Sequence, residues 1–277
     1  MRKTKTMRTT FAAALALATA FSAQAAHQAA HAADLDFGPL RGSQWGEPVV
    51  VWQGGYFAGF AGYTQTGVKA DGIFKEPIAH HLRDTVLEAE MRVSDFLRPT
   101  VSDRRASVFG IAAGYNFQFD ETVLGIEADF TRGRTRSVGS DQLARRRNLS
   151  NDTLGYADAR GTFELEVDNV STLRVRAGYT VGAFLPFVSG GVAIAEYKRR
   201  RVIDLEYGEA PVAGPFRFQD VAPKSGWAIG VAGSAGVDVA LTENVFVRGE
   251  WLYTFFPDMG GAEVSRNTLR AAAGVKF

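Results

Sequence analysis

The sequence predicts an all-β protein: a closed antiparallel transmembrane β-barrel of about eight strands, with short periplasmic turns and long extracellular loops. Three observations predict this fold. Apolar and polar residues alternate with the period of a strand over most of the chain. Tight and long connections also alternate along it. Finally, the 30 glycines argue against a helical bundle, because a glycine inside a helix costs roughly 0.5–1 kcal/mol relative to alanine.

The N-terminal segment, residues 1–32, is predicted to be a signal peptide. Cations near the N-terminus precede the apolar stretch 11–21, and small residues indicate cleavage after Ala25 or Ala32. We therefore expect export through the general secretory route. Residues 33–53 are expected to form a periplasmic N-terminal tail, and residues 54–277 to form the barrel.

Strand periodicity is clearest in 109–119, 227–241 and 267–277, where bulky apolar residues alternate with small or polar ones. Applied to the whole chain, this template predicts strands near 54–66, 106–120, 123–137, 163–181, 185–197, 226–240, 245–256 and 266–277. The facing of the first and fifth strands stays open, because in the fifth the two sets of alternate residues are too similar to separate.

Connections between the predicted strands follow a regular order. Tight links lie around 120–122, 182–184 and 242–244, whereas longer links follow the first, third, fifth and seventh strands. This order is typical of outer-membrane barrels, whose turns are periplasmic and whose loops are extracellular. Alternation continues through 203–207, so one interpretation is that strands project above the membrane as a ribbon whose edges a partner could extend.

Charged residues are predicted to face the lumen, because Arg or Lys exposed to lipid at mid-bilayer costs about 2–4 kcal/mol. The inward set is Glu127, Asp129, Arg174, Arg176, Asp238, Arg248, Glu250, Arg270 and Lys276. Both signs are present, and a barrel of about eight strands has just enough interior for side chains to fill. Our hypothesis is a paired network that closes the lumen. The alternative is a water-filled pore lined by the same residues, which would be a narrow diffusion porin.

Aromatic residues near the strand ends are predicted to form girdles at the two membrane interfaces. They are Tyr63, Phe109, Phe119, Phe130, Tyr179, Trp227, Trp251 and Tyr253. A soluble exported barrel of lipocalin type would instead keep its apolar residues inside.

Four segments carry a resemblance to a known family. Residues 52–63, 185–193, 247–254 and 269–277 resemble the alphaproteobacterial outer-membrane immunogenic proteins, which are small opacity-type β-barrel porins. The resemblance implies an eight-stranded barrel in the outer membrane of a Gram-negative bacterium, with a role in envelope integrity or host contact. A last strand that ends on Phe277 resembles the signal recognised by the barrel-assembly machinery.

No catalytic, cofactor or metal site is predicted, so the leading function is a structural, surface-interacting barrel that is not an enzyme. Two weaker alternatives rest on His80 and His81. With Asp84, Ser94 or Ser102 they would suggest a lipid-modifying enzyme, and alone they would suggest a haem-binding surface.

The expected partners are outer-membrane lipid and lipopolysaccharide, the assembly machinery, and a host or envelope partner. Loops 67–105, 138–162 and 198–225 would contact that last partner. Basic clusters at 145–147 and 198–201 could bind lipid phosphates or could simply be solvated. A formal charge of +1 gives no indication of nucleic-acid binding.

Overall fold

The computed structural model describes residues 50–277, so the predicted signal peptide and most of the predicted tail lie outside the described residues. The strands are β1 (Gly54–Lys69), β2 (Thr100–Val101), β3 (Arg104–Phe119), β4 (Thr122–Asn148), β5 (Leu154–Tyr179), β6 (Phe184–Ala210), β7 (Ala213–Ala240), β8 (Val245–Phe256) and β9 (Glu263–Lys276). The helices are α1 (Lys75–His81) and α2 (Val86–Met91), followed by a 3-10 turn at Val93–Asp95. Within 50–277, no helix has the length and apolar character needed to span a bilayer.

The strands close into a ring of antiparallel pairs. Each strand from β3 to β9 pairs with the next one along the chain, and β1 joins β3 to β9. The short β2 lies outside the ring and pairs with β4 alone, so eight of the nine strands form the wall. The predicted closed antiparallel barrel of about eight strands is confirmed.

Tight turns join the strands at one end of the barrel, where the sequence predicted them. The β3–β4 link consists of Asp120 and Glu121, and the β5–β6 and β7–β8 links are 180–183 and 241–244. Asp120 and Gly182 have φ of 52° and 58°, the left-handed conformation that such short reversals often require.

Two segments expected as long loops are instead strand extensions. β4 and β5 stay paired up to Asn148 and Leu154, and β6 and β7 up to Glu209 and Ala213. Only 149–153 and 211–212 remain as connections. The ribbon interpretation of 203–207 therefore holds, and 138–162 extends in the same way, because in both segments alternation continues beyond the membrane.

Register and burial settle the facing of the two ambiguous strands. In β1, Tyr56 and Phe60 point into the lumen and Phe57 points outward. In β6, Phe187 is buried inside and Val188 is exposed outside.

A band of exposed apolar side chains surrounds the part of the barrel nearest the periplasmic turns. It includes Phe57, Phe109, Ile111, Phe117, Leu124, Ile126, Leu173, Val175, Val188, Val192, Ile229, Val231, Leu269 and Val275. The eight predicted girdle aromatics lie on this outer face; seven of them are exposed and Tyr253 is half-buried. A continuous apolar surface of this kind is stable against lipid and not against water.

On the extracellular side of this band, the inner face of the wall changes from polar to apolar and the outer face from apolar to polar. In β5, a register shift between Val167 and Val170 separates two regions. Below it the inward residues are polar, such as Arg174. Above it the buried inward residues are apolar, such as Phe163 and Leu165. The extracellular part of the sheet therefore has an apolar core and a polar outer face, as water on the outside requires.

The first connection, expected as the loop 67–105, folds into the extracellular end of the barrel. Its buried side chains are Ile73, Phe74, Ile78, Leu82, Leu87, Met91, Val93, Phe96 and Leu97. They share one hydrophobic cluster with Phe163, Leu165, Ile203 and Leu205 of the wall. This connection therefore fills the outer opening and leaves only part of its surface available to a partner.

Candidate functional site

Eight of the nine predicted inward charges form one layer across the lumen. Strand register places Glu127 opposite Arg174, Asp238 opposite Arg248, and Glu250 opposite Arg270, so each of these cross-strand pairs joins opposite charges. We call Glu127, Asp129, Arg174, Arg176, Asp238, Arg248, Glu250 and Arg270 the charge layer.

Arg174 lies at the centre of the charge layer, and its side chain is 0% exposed. Its Nη1 donates to Glu250 Oε1 at 2.5 Å, and its Nη2 donates to Asp129 Oδ2 at 2.9 Å and to Glu127. Ser234 Oγ accepts a further bond at 2.8 Å. One guanidinium thereby connects β5 to β4, β7 and β8.

A second group within the layer surrounds Asp238. Arg248 binds this carboxylate through Nε at 2.6 Å and Nη2 at 3.1 Å, and Arg176 donates to it from Nη2 at 2.7 Å. Arg248 Nη1 also donates to Glu127, which links the two groups. Two-point guanidinium–carboxylate contacts are among the stronger hydrogen-bonded pairs in proteins.

Arg270 connects the layer to the last strand. Its Nε donates to Glu250 Oε2 at 2.8 Å and its Nη2 to Asp129 Oδ2 at 3.2 Å. Thr172 Oγ1 donates to the same Asp129 oxygen at 2.6 Å. The four arginines offset the four carboxylates, so the layer has no net formal charge. That balance lets ionised groups stay buried, because each charge keeps partners in place of water.

Aromatic side chains that the sequence did not indicate complete the layer. Tyr56 Oη donates to Glu127 Oε2 at 2.6 Å, and the ring of Phe187 lies 4.0 Å from Arg176 Cζ. The ring of Phe60 lies 4.3 Å from Arg270 Cζ on another side of the layer. These residues belong to β1 and β6, the strands whose facing stayed open in the sequence. The sequence did not indicate these residues because it did not show which face of β1 and β6 points inward.

Lys276, the ninth predicted inward residue, lies apart from the charge layer at the periplasmic end. Its Nζ donates to the carbonyl of Val51 at 2.5 Å and lies 4.7 Å from the ring of Trp52. The backbone N–H of Trp52 also donates to Gln118 Oε1 at 2.6 Å. Residues 50–53 were predicted as the end of a periplasmic tail. They pack at the periplasmic end of the barrel instead, because Trp52 is buried there and contacts Gln118 and Lys276.

Phe277, the predicted assembly signal, follows the last strand and its side chain is 80% exposed. Its N–H donates to the carbonyl of Gly55 at 2.9 Å. Gly54 has φ of 122°, and a Cβ there would lie 2.3 Å from the Phe277 carbonyl oxygen. Glycine at 54 therefore lets the start of β1 meet the end of β9 where the barrel closes.

The two histidines lie on α1 at the extracellular end. His81 stacks on Phe218 at 3.9 Å between ring centroids, and its Nε2 lies 3.1 Å from Tyr207 Oη. Partial burial, and then the neighbouring His80, lower the pKa of His81. His80 Nδ1 contacts Arg83 Nη2 at 2.9 Å. His81 thus joins α1 to β6 and β7, and the described residues contain no group of three His, Cys, Asp or Glu able to hold a metal.

The three other residues considered for catalysis form no hydrogen bond or ion pair with His80 or His81 in the described part of the chain. Ser94 is buried and bonds Glu88, with Oγ donating to Oε1 at 2.5 Å. Asp84 has φ of 65° in the turn between α1 and α2, and Ser102 is exposed next to β2.

The basic cluster 145–147 helps to hold the first connection. Arg145 Cζ lies 5.3 Å from the ring of Phe96, and Arg147 Nη1 donates to the carbonyl of Glu90 at 2.6 Å. Both lie near the outer end of β4, about 43 and 50 Å along the strand from Arg132 at about 3.3 Å per residue. These distances place them beyond the reach of lipid phosphates level with the girdle.

The basic cluster 198–201 divides between the two faces of β6. Lys198 and Arg200 point outward. Arg199 Nη1 donates to the carbonyl of Gly260 at 2.6 Å, and Arg201 Nη2 pairs with Asp220 at 2.6 Å. Only half of this cluster is therefore available on the outer surface.

Comparison with known proteins identifies the family. The family model for the outer membrane protein β-barrel domain matches residues 13–277. The chain belongs to this family. The outer-membrane β-barrel protein is therefore located in the outer membrane of a Gram-negative bacterium, as the sequence predicted.

Relatives of this outer-membrane β-barrel protein are alphaproteobacterial, as the resemblance predicted. It is 27% identical over 180 residues to the 25 kDa outer-membrane immunogenic protein of Brucella canis, covering 61% of this chain and 64% of that protein. It is 26% identical over 189 residues to the 22 kDa outer membrane protein of Rhizobium leguminosarum bv. viciae, covering 64% and 70% of the two chains. The match thus spans less than two thirds of the Brucella relative.

Two solved structures are similar to this outer-membrane β-barrel protein at low identity. Neisserial surface protein A matches with 13% identity and a TM-score of 0.35, over 80% of this chain and 97% of that chain. OprG from Pseudomonas aeruginosa matches with 14% identity and a TM-score of 0.35, over 81% and 97%.

Proposed function

We propose that this protein is a structural, surface-interacting barrel of the outer membrane, with a closed lumen and no catalytic role. The observation that carries the proposal is the charge layer. Its arginine and carboxylate side chains pair with one another and are 0–2% exposed. A water-filled pore would leave the same side chains solvated.

The way the charge layer spans the barrel supports the proposed closed lumen. An ion crossing it would have to displace contacts that connect β4, β5, β7, β8 and β9 at one level. Burying those charges without partners would cost several kcal/mol each, so the paired state is favoured over an open one. The same contacts hold strands from opposite sides of the ring together, which supports a structural role.

Surface interaction is supported by the extracellular ribbon. The paired extensions of β4, β5, β6 and β7 have charged outer faces above the apolar band. The Brucella relatives carry the name outer-membrane immunogenic protein. A host or envelope partner of this chain would meet the ribbon and the exposed surface of α1 and α2.

Lipid and lipopolysaccharide phosphates would meet Arg132 together with two residues of the basic cluster 198–201 that the sequence indicated. Arg132 follows the girdle residue Phe130 on the outer face of β4 and pairs in register with Phe109, another girdle residue. Lys198 and Arg200 occupy the outer face of β6 above Ile194. These cations lie just above the aromatic band, where phosphates of the outer leaflet are found. For the assembly machinery, Phe277 at the closing seam is the contact we propose.

Planar lipid bilayer recording tests the closed lumen. The purified wild-type barrel is expected to add no stepwise conductance, because the charge layer blocks the lumen. The double variant Arg174→Ala/Arg248→Ala removes two central guanidinium groups and is expected to raise the conductance. Arg136→Ala, which removes an exposed outer ion pair with Glu164, is the matched control and should resemble wild type. Steady channel steps from the wild-type barrel would contradict the proposal and favour the narrow diffusion porin.

A further inference from the structure

Arg266 is a buried cation of the barrel interior that the charge layer does not use. It lies on the inward face of β9, two residues from Thr268 and four from Arg270 on their extracellular side, and is 2% exposed. Its Nε and Nη1 atoms are buried without a hydrogen-bond partner. Within residues 50–277 it also forms none of the ion pairs that hold the other inward arginines.

Within residues 50–277, Arg266 has no carboxylate partner, and its neighbours in register carry hydroxyl groups. Thr66 of β1 and Thr254 of β8 are its register partners on the two sides. The Thr66 hydroxyl is buried without a partner, and Arg270 Nη1, below it, is in the same condition. A guanidinium nitrogen can only donate a hydrogen bond, so the two arginines cannot satisfy one another, and within residues 50–277 the Thr66 hydroxyl accepts from neither of them.

A further unpartnered hydroxyl lies on β4, across the lumen. Arg270 reaches Asp129 of β4 at 3.2 Å, which fixes the relative level of β9 and β4. Moving four residues toward the outside on each strand brings Arg266 opposite the stretch 131–135, because β4 and β9 run in opposite directions. Thr135 points inward there, and its hydroxyl is also buried without a partner.

Charge balance gives the sign of the missing partner. The four arginines of the charge layer are offset by its four carboxylates, so no carboxylate of that layer remains to offset Arg266. Above it the interior is apolar, with Phe256 and Val264 fully buried. A water molecule could accept a hydrogen bond from Arg266 but would not neutralise it, whereas a monovalent anion would do both.

We propose that the barrel holds one small monovalent inorganic anion of the halide class, bound by Arg266, Arg270 and the hydroxyl groups of Thr66 and Thr135. A halide accepts several N–H and O–H bonds from any direction, which suits a site whose unpartnered groups can all donate. It carries one negative charge, which offsets the charge of Arg266. The anion is a structural ligand that completes the polar filling between the charge layer and the extracellular apolar core.

Bromide is the probe for the location of this site. The full-length barrel is folded into detergent and crystallised in sodium bromide, and anomalous scattering is measured at the bromine edge. One peak in contact with Arg266 inside the wall is expected. An ordered water at that position, or bromide found only on the outer surface, would overturn the proposal.

Unfolding kinetics provide a solution test of the same site. The rate at which the wild-type barrel changes gel mobility in hot detergent is measured at constant ionic strength in chloride, bromide or gluconate, a large organic anion. Chloride and bromide should slow unfolding several-fold, with saturation, because a ligand that binds only the folded state stabilises it.

Two variants separate the site from general salt effects. Arg266→Met should unfold at the same rate in all three salts, whereas Arg136→Met, at an exposed position on the outer face of β4, should keep the halide dependence. Equal wild-type rates in chloride and gluconate would overturn the proposal, as would an unchanged halide effect in Arg266→Met. If Arg266→Met does not fold, the wild-type rates and the bromide peak still decide the outcome.

Discussion

Removing the central guanidinium of the charge layer is the most informative perturbation of this barrel. Arg174→Met keeps an unbranched side chain but leaves Glu127, Asp129 and Glu250 without their shared donor. The layer then carries one uncompensated negative charge in a site that is 0% exposed. Breaking a buried ion pair by removing one partner costs about 3–5 kcal/mol, and we expect a loss of unfolding free energy in that range.

A double-mutant cycle separates charge pairing from packing. Glu250→Gln alone leaves one excess positive charge, whereas Arg174→Met/Glu250→Gln restores the balance. The double variant should therefore lose less free energy than the sum of the two single variants, by about 0.5–3 kcal/mol. Urea unfolding in lipid vesicles, followed by tryptophan fluorescence, measures all four proteins. Arg136→Met, at an exposed outer ion pair, is the control and should keep the wild-type midpoint.

Additive losses in this cycle would refute the reasoning. So would an Arg174→Met barrel whose unfolding free energy stays within about 1 kcal/mol of wild type, because that result would mean that Glu127 and its neighbours are already solvated. The charge layer would then be a pore lining.

Three further predictions concern the seam, the extracellular core and the histidine contact. Gly54→Ala should lower the fraction of protein that shows folded mobility on an unheated gel, because Gly54 has φ of 122° and a Cβ there would collide with the carbonyl of Phe277. Gly59→Ala is the control and should fold normally, because a Cβ at that position meets nothing within 4 Å. Phe163→Ala should destabilise the extracellular core by about 3–5 kcal/mol and increase amide exchange in α1 and α2, while exchange in the membrane band stays slow. Burial lowers the pKa of His81, so the stability that this residue gives to the packing of α1 on β6 and β7 is present above the ordinary histidine pKa and is lost as pH falls through the lowered pKa. Amide exchange in α1 should therefore rise below that pH in wild type and not in His81→Phe. Amide exchange in wild type that does not change with pH would show that the contact is unimportant.

The closed barrel was predictable from the sequence because membrane strands obey a strict rule. Residues such as Phe109 and Arg174 alternate between hydrocarbon and a polar interior, and the cost of exposing a charge to lipid fixes which face points inward. The inward charges of β4, β5, β7, β8 and β9 followed directly. Tyr56 and Phe187 did not, because β1 and β6 carry small or apolar residues on both faces.

The extracellular half could not be predicted in the same way. Above the register shift between Val167 and Val170, water replaces lipid as the outer solvent, so the apolar face turns inward and the membrane template no longer applies. The helices of 67–105 are short, and their burial depends on side chains such as Phe163 and Ile203 that are distant in sequence. That core is a product of tertiary contacts, which local periodicity does not contain.

Thiol reactivity at Ser234 tests the closed lumen most directly. The chain has no cysteine, so Ser234→Cys introduces a single thiol next to Arg174 with little change in size. In the folded barrel this thiol is predicted to resist a charged, water-soluble thiosulfonate reagent and to react only after unfolding, whereas Ser225→Cys on the exposed ribbon should react at once. Rapid modification of Ser234→Cys in the folded barrel would show a water-filled lumen and contradict the account.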